Sequence, residues 1–215
     1  MFKNKFFFIV FEGIEGSGKS YQSKKLYQSL KKKGLNVLLT REPGGSPSAE
    51  KIRNLILTDY FSKNIKQQFD KYTDTLLYLA ARNEHIKNKI KPALKKRKIV
   101  ICDRFTDSTI AYQVFGKNVD IQFINNIHKK ILNGIKPNLV FILKVSINAS
   151  RKRLKKRKSK NRYDNFSQSF YTKAQKSFVK LSKNKRNYFV LDSSANDSSL
   201  ENKIFKIVNR FLKIQ

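Results

Sequence analysis

Residues Phe6 to Ser20 read FFFIVFEGIEGSGKS. An apolar run stops at Glu12, and Gly13-Ile14-Glu15-Gly16-Ser17-Gly18-Lys19-Ser20 then fits the phosphate-binding pattern G-x-x-x-x-G-K-S/T. Tyr21 to Lys33 is helix-compatible, so strand, glycine-rich turn and helix follow in the order that the pattern requires. The three glycines let backbone N–H groups wrap phosphate oxygens at the positive end of a helix. Lys19 has the reach for the β- and γ-phosphates of a nucleoside triphosphate, and Ser20 the hydroxyl for Mg²⁺. The alternative is a glycine-rich strand-to-helix turn that matches by chance. Every fixed position being filled, in the right context, weighs against it.

Four more apolar runs resemble the one before the loop: Asn36–Thr40, Lys98–Asp103, Leu139–Val145 and Asn187–Asp192. Most are continuous rather than alternating, as parallel strands covered on both faces should be. Segments with helical spacing separate them. Leu26, Leu30 and the Gly34 stop mark a first helix; Thr75 to Ile90 is a second, ending near Pro92. Asp120 to Leu132, closing at Gly134 and Pro137, and Ser199 to Leu212 complete the set. Strand-helix alternation predicts a three-layer α/β fold, a five-stranded parallel sheet flanked by helices. The 215 residues suit one domain with a small lid.

Composition narrows the setting. No stretch approaches the roughly 18 apolar residues of a membrane helix, and Phe6–Phe11 is too short for a secretory apolar region, which points to cytoplasm. The only cysteine, Cys102, excludes an internal disulfide and reads as an inert buried thiol. The formal net charge is +32, from 47 Lys+Arg against 15 Asp+Glu. The excess is spread along the chain as lysine beside abundant Asn, Ile and Phe, a mix that an AT-rich coding bias produces. It reads as solvated lysine faces rather than a specific nucleic-acid surface, with weak, salt-sensitive attraction of nucleotides and nucleic acid as the consequence.

Charged residues then converge on one sheet edge. Asp103 ends a strand; it reads either as the second Mg²⁺ anchor or as a helix N-cap carboxylate. Arg104 follows it at the carboxyl edge of the sheet, where open α/β folds bind ligands and a guanidinium can grip phosphate by two bonds. Thr40-Arg41-Glu42-Pro43-Gly44-Gly45 makes a sharp turn after the second strand. Arg151 to Arg162, RKRLKKRKSKNR, is either an exposed basic helix end or a mobile lid over phosphates.

The set FEGIEGSGKS, TREPGG, LLYLAAR (Leu76 to Arg82), IKPAL (Ile90 to Leu94) and DRFTDSTIAYQ (Asp103 to Gln113) resembles bacterial thymidylate kinases over nearly the whole chain. TREPGG together with DR-aromatic-x-x-S-x-x-AYQ is highly specific among P-loop kinases. The resemblance implies γ-phosphoryl transfer from ATP to dTMP with Mg²⁺, in a homodimer. It carries roles to particular residues. Glu15 would lie beside the 3′-hydroxyl of dTMP, and Arg53 and Arg104 would hold the acceptor phosphate. Tyr78 would stack on thymine, and Arg82 would hydrogen-bond a base carbonyl. Ser108 and Thr109 would meet the pyrimidine edge; Tyr112 would pack against the sugar 2′ carbon, with Gln113 near the same pocket. The duller readings are that Tyr78 is core and Arg53 an ordinary solvated residue. Because Glu15 gives the phosphate loop an acid where a base is absent, the lid would supply a catalytic arginine: Arg157 first, then Arg153 and Arg162. The chain departs from the family at Tyr21, where a second small hydroxyl residue is common, and in the less acidic Asn161-Arg162-Tyr163-Asp164.

Rival readings are a P-loop kinase for another nucleotide or nucleoside, a basic ATPase acting on nucleic acid, and an inactive relative. No N-K-x-D stretch or added nucleic-acid module supports the second, and intact Gly16, Lys19, Ser20, Asp103 and Arg104 argue against the third.

Overall fold

The computed structural model describes residues 7–57, 69–156, 166–195 and 198–213. β1 (Phe7–Glu12), β2 (Val37–Arg41), β3 (Ile99–Asp103), β4 (Leu139–Lys144) and β5 (Tyr188–Asp192) form one parallel sheet in the order β2-β3-β1-β4-β5. All five expected strands are present, each within a residue or so of its expected bounds.

The apolar runs are continuous because both faces are covered. Strand side chains alternate in direction, so Phe8, Val10, Val100, Cys102, Val140 and Ile142 pack into one core layer and Ile9, Phe11, Ile99, Ile101, Phe141 and Leu143 into the other. α1 (Lys19–Lys32) and α10 (Ser198–Leu212) close the second layer with Leu26, Leu30, Ile204 and Val208. The first layer is closed by α4 (Lys91–Lys95), the Phe105–Tyr112 segment and α9 (Gln168–Ser182), through Leu94, Phe105, Tyr112 and Phe178. Cys102 is fully buried there, and burial pushes its thiol pKa well up.

This layering locates the site. β1 and β3 are neighbours, but the chain leaves β1 toward the α1 layer and leaves β3 toward the opposite one. A crevice therefore opens between their carboxyl ends, where ligands bind in open α/β sheets.

One helix boundary differs from expectation. The helix thought to end near Pro92 runs on: α3 (Lys71–His85) passes through a π-helical turn, Ile86–Ile90, into α4, with Pro92 in its first turn. Proline is tolerated there because a first-turn residue needs no intrahelical N–H donor, and the wider π turn has already shifted the hydrogen-bond register. α2 (Pro47–Leu57), α8 (Ile147–Lys155) and α9 were not singled out from the sequence. α5 (Thr106–Thr109), the π-helical turn Ile110–Val114 and α6 (Phe115–Lys117) follow β3, and α7 (Ile121–Leu132) spans nearly the expected range, from its Asp120 N-cap to an Asn133 C-cap one residue before the expected Gly134 stop.

Candidate active site

The Gly13–Ser20 loop leaves β1 and turns into α1 at Gly18, whose φ of 89° is open to glycine and costly for other residues. At Gly16 (φ 70°) a Cβ would meet the Ser150 carbonyl oxygen at 2.7 Å, so α8 packs on the loop backbone itself. Ser150 Oγ donates to the Glu15 carbonyl at 2.7 Å, and Arg153 donates to the Gly16 carbonyl at 3.1 Å and to those of Ser193 and Ser194. Gly13 lies against the Leu143 carbonyl, Ile14 is fully buried in the core, and Ser17 is fully buried. Those three shape the loop from behind.

Lys19 curls over the loop, its Nζ donating to the Ile14 carbonyl at 2.7 Å and to Ser17 Oγ at 3.3 Å. Burial, then the Arg104 charge, push its pKa down to about 8 against the pull of Asp103, Glu15 and Glu12. Ser20 Oγ donates to Asp103 Oδ2 at 2.5 Å, joining the first turn of α1 to the carboxyl end of β3. The other Asp103 oxygen, Oδ1, is buried with no hydrogen-bond partner among the described residues. A hydroxyl and a carboxylate with an uncommitted oxygen, beside the phosphate loop, are donors that suit a hard divalent cation such as Mg²⁺.

Arg104 occupies the crevice from the β3 side, with a left-handed φ of 71° that aims its side chain back at the loop. It donates to the Gly13 carbonyl (2.9 Å), Ser108 Oγ (3.2 Å) and Glu15 Oε1 (2.6 Å) and lies over the Tyr112 ring. Burial works to lower its pKa, but Glu15, Tyr112 and Asp103 outweigh it and hold the guanidinium well above its ordinary value. Burial works to raise Glu15; Arg104, Lys19 and the Tyr112 hydroxyl, which donates to Glu15 Oε2 at 2.6 Å, outweigh it and keep the carboxyl below its usual range.

Glu12 supports this arrangement from below. Its carboxyl accepts from the Phe105 and Ser108 backbone N–H groups and from Ser108 Oγ, pinning the turn that carries Arg104. Burial and the Asp107 carboxylate push it up to about 7. Ser108 thus serves the scaffold as well as facing the cavity.

A second buried cluster stands on the β2 side. Arg82 Nε donates to Glu42 Oε2 at 2.7 Å, Nη1 donates to Thr109 Oγ1 (2.7 Å) and His128 Nε2 (2.8 Å), and Nη2 donates to the Phe105 carbonyl (2.8 Å). His85 Nδ1 donates to Glu42 Oε1 at 3.1 Å, and its Nε2 lies 2.7 Å from Thr40 Oγ1. Burial works to raise Glu42; Arg82 and His85 outweigh it. Arg53 sits at the mouth, half-buried, donating to the Pro43 carbonyl at 2.6 Å beside Glu50, which also pairs with Arg41 and accepts from Gly45 N–H.

Gly45 (φ 92°) carries a first prediction. A Cβ there would collide with His85 Nε2 and meet Thr40 Oγ1 at 2.6 Å. Gly45→Ala, forced into a left-handed backbone against buried neighbours, should lose about 3 kcal/mol of stability, a fall of about 8 °C in Tm. Thermal unfolding followed by circular dichroism checks this; a Tm within 2 °C of wild type, well below about half of that shift, contradicts it.

These groups line one cavity of about 490 Å³ between the phosphate loop, β2, β3, α2 and α3. Glu15, Gly16, Gly18, Lys19 and Ser20 face it from one side, and Arg53, Tyr78 and Arg82 from the other. Asp103, Arg104, Ser108, Thr109, Tyr112 and Gln113 form its floor, and Arg153 its rim. Arg157 and Arg162 lie outside the described residues. Tyr21 also lines the cavity, yet its hydroxyl donates away from the loop, to Glu201 of α10 at 2.8 Å. The sequence reading passed over Glu12, Glu50, His85 and His128. One signal was available: the chain has only two histidines, and both are buried in the Arg82 cluster.

A phosphate loop and further guanidiniums lining one cavity, at the switch point of a parallel sheet, are the arrangement of a P-loop kinase. The family model for thymidylate kinase matches residues 11–204. The thymidylate kinase of Wolbachia pipientis wMel is 45% identical over 177 residues, 81% of this chain and 84% of that protein. That of Mycoplasma capricolum subsp. capricolum is 37% identical over 209 residues, 96% of each chain. The crystal structure of thymidylate kinase from Ehrlichia chaffeensis superposes with a TM-score of 0.72 at 32% identity, covering 98% of this chain and 100% of that one. The chain belongs to the thymidylate kinase family: it is a dTMP kinase, a phosphotransferase.

Proposed function

We infer that the chain transfers the γ-phosphoryl group of ATP to dTMP, giving dTDP and ADP, within one domain; the lid expected at about 150–165 lies in part outside the described residues. The observation that carries the site assignment is that Lys19, Arg104 and Arg53 line a single cavity. Two polyanions repel, so bringing them in line requires cations on both and exclusion of water.

Loop N–H groups and Lys19 hold the β- and γ-phosphates. Arg104 and Arg53 hold the dTMP phosphate. That phosphate has its second pKa near about 6 and is a dianion at neutral pH, so its oxygen attacks without a general base. The new bond forms between this oxygen and Pγ as the bond from Pγ to the β-bridging oxygen breaks, and the electron pair leaves with ADP. Ser20 and Asp103 would hold Mg²⁺, which supplies neutralising charge on the donor phosphates when bound. Glu15, already turned toward the cavity by Arg104 and Tyr112, accepts from the 3′-hydroxyl. Tyr112 closes the space a ribose 2′-hydroxyl would need, Tyr78 stacks on the base, and Arg82, with Ser108, Thr109 and Gln113 nearby, reads its edge. Arg153 holds the lid's base against the phosphate loop. The lid arginine that would neutralise the transferred group is Arg157, with Arg153 and Arg162 behind it; Arg157 and Arg162 lie outside the described residues.

A homodimer fits the exposed stripe Tyr72, Leu76 and Ala80, spaced four residues apart along α3 beside the groove formed with Pro47 and Ile52 of α2. No helix of the described residues is long and apolar enough to cross a membrane.

An acceptor panel with ATP tests the substrate assignment. dTMP should give the highest kcat/KM and dUMP a lower one, for want of the methyl contact. AMP, CMP or GMP outrunning dTMP would overturn it.

A further inference from the structure

A guanidinium carries five N–H donors in a rigid fork and accepts nothing. Among the described residues, four of Arg82's donors are committed, to Glu42, Thr109, His128 and the Phe105 carbonyl. One Nη2 hydrogen remains, and Arg82 borders the cavity. How the fork is turned decides where that donor points.

Two of the four partners, Thr109 and the Phe105 carbonyl, belong to the segment that follows β3. Glu42 comes from the turn after β2 and neutralises the charge. His128 comes from α7, is not among the residues lining the cavity, and reaches the site by its hydrogen bond to Arg82. Since Arg82 can only donate, the 2.8 Å contact requires a lone pair on His128 Nε2, and hence a neutral ring with its proton on Nδ1. Burial and the Arg82 charge drive its pKa to about 3, in keeping with that neutral ring. His128 therefore adds direction to the fork without adding charge.

We propose that His128 is a positioning residue for substrate recognition: by accepting one Nη1 hydrogen of Arg82 it fixes the fork so that the free Nη2 donor meets a carbonyl on the base of the bound nucleotide. The proposal rests on the reading of Arg82 as the base-contacting residue of a dTMP kinase. It assigns His128 a share of dTMP affinity and none in the handling of ATP.

Steady-state kinetics of wild type, His128→Leu and His128→Gln test it. His128→Leu fills the space without an acceptor and should raise KM for dTMP by about tenfold, the worth of one hydrogen bond to a charged group. KM for ATP and kcat at saturating dTMP should stay within about twofold of wild type. His128→Gln, which restores an acceptor oxygen, should recover most of the dTMP affinity. Should the leucine variant not fold, His128→Phe takes its place as an apolar ring with no acceptor. A wild-type KM for dTMP in the acceptor-less variant overturns the proposal, as does a parallel loss of ATP affinity and kcat that glutamine does not repair. Wild-type protein that makes no dTDP refutes the underlying function instead, so the two failures are distinguishable.

Discussion

Lys19→Met lowers phosphoryl transfer by at least about a thousandfold, the scale on which single preorganised cations act on phosphoryl chemistry, while leaving the protein no less stable. Methionine keeps the apolar stem and removes the charge. The two results together separate function from scaffold. Lys19 is a buried cation whose pKa is pushed down to about 8 by burial first and Arg104 second. Such a group opposes folding wherever it must stay charged. The sign follows from linkage: the unfolded lysine, near 10.5, binds its proton more tightly than the folded one. The stability advantage of the variant is therefore full below pH 8 and fades as pH rises toward 10.5. Urea unfolding at pH 7 and pH 10 reads it. A variant that loses stability at pH 7, or one that retains turnover, contradicts the role given to Lys19.

Arg104→Met produces the second large effect, and here stability and activity fall together. The guanidinium is the partner that compensates the buried Glu15 carboxylate at 2.6 Å, and it also holds the Gly13 carbonyl and Ser108. Removing one member of a buried ion pair leaves the other uncompensated, at a cost of about 3 kcal/mol or more. Turnover of dTMP should drop by about a thousandfold as well, because the acceptor phosphate would lose a cation proposed to hold it. The double variant Arg104→Met with Glu15→Gln divides the two effects. Neutralising Glu15 should return much of the lost stability and none of the lost activity. Recovery of both would mean that Arg104 serves only to hold the loop; recovery of neither would mean that the Glu15 pair is not what Arg104 stabilises.

The sheet was legible because its strands are buried on both faces. Ile9 and Phe11 pack one way and Phe8 and Val10 the other, and that two-sided burial writes itself into the sequence as an unbroken apolar run. The phosphate loop was legible for a different reason: its chemistry is done by backbone and neighbouring side chains within eight residues, Gly13 to Ser20. What sequence left hidden is tertiary. His128 meets Arg82 across 46 residues and Glu42 meets His85 across 43, separations that no periodicity encodes. Glu12 looked like the polar end of a strand, yet its carboxyl ties down the Arg104 turn more than ninety residues away. Pro92 was read as a stop because proline usually is one; the π turn before it, which removes the conflict, left no mark in the pattern.

The most direct test follows ATP and dTMP together by ³¹P NMR in the presence of Mg²⁺ and the purified, folded protein. The account predicts that dTDP and ADP appear in equal amounts as dTMP and ATP decline. Release of inorganic phosphate with dTMP left intact, or no consumption of either nucleotide, would contradict it.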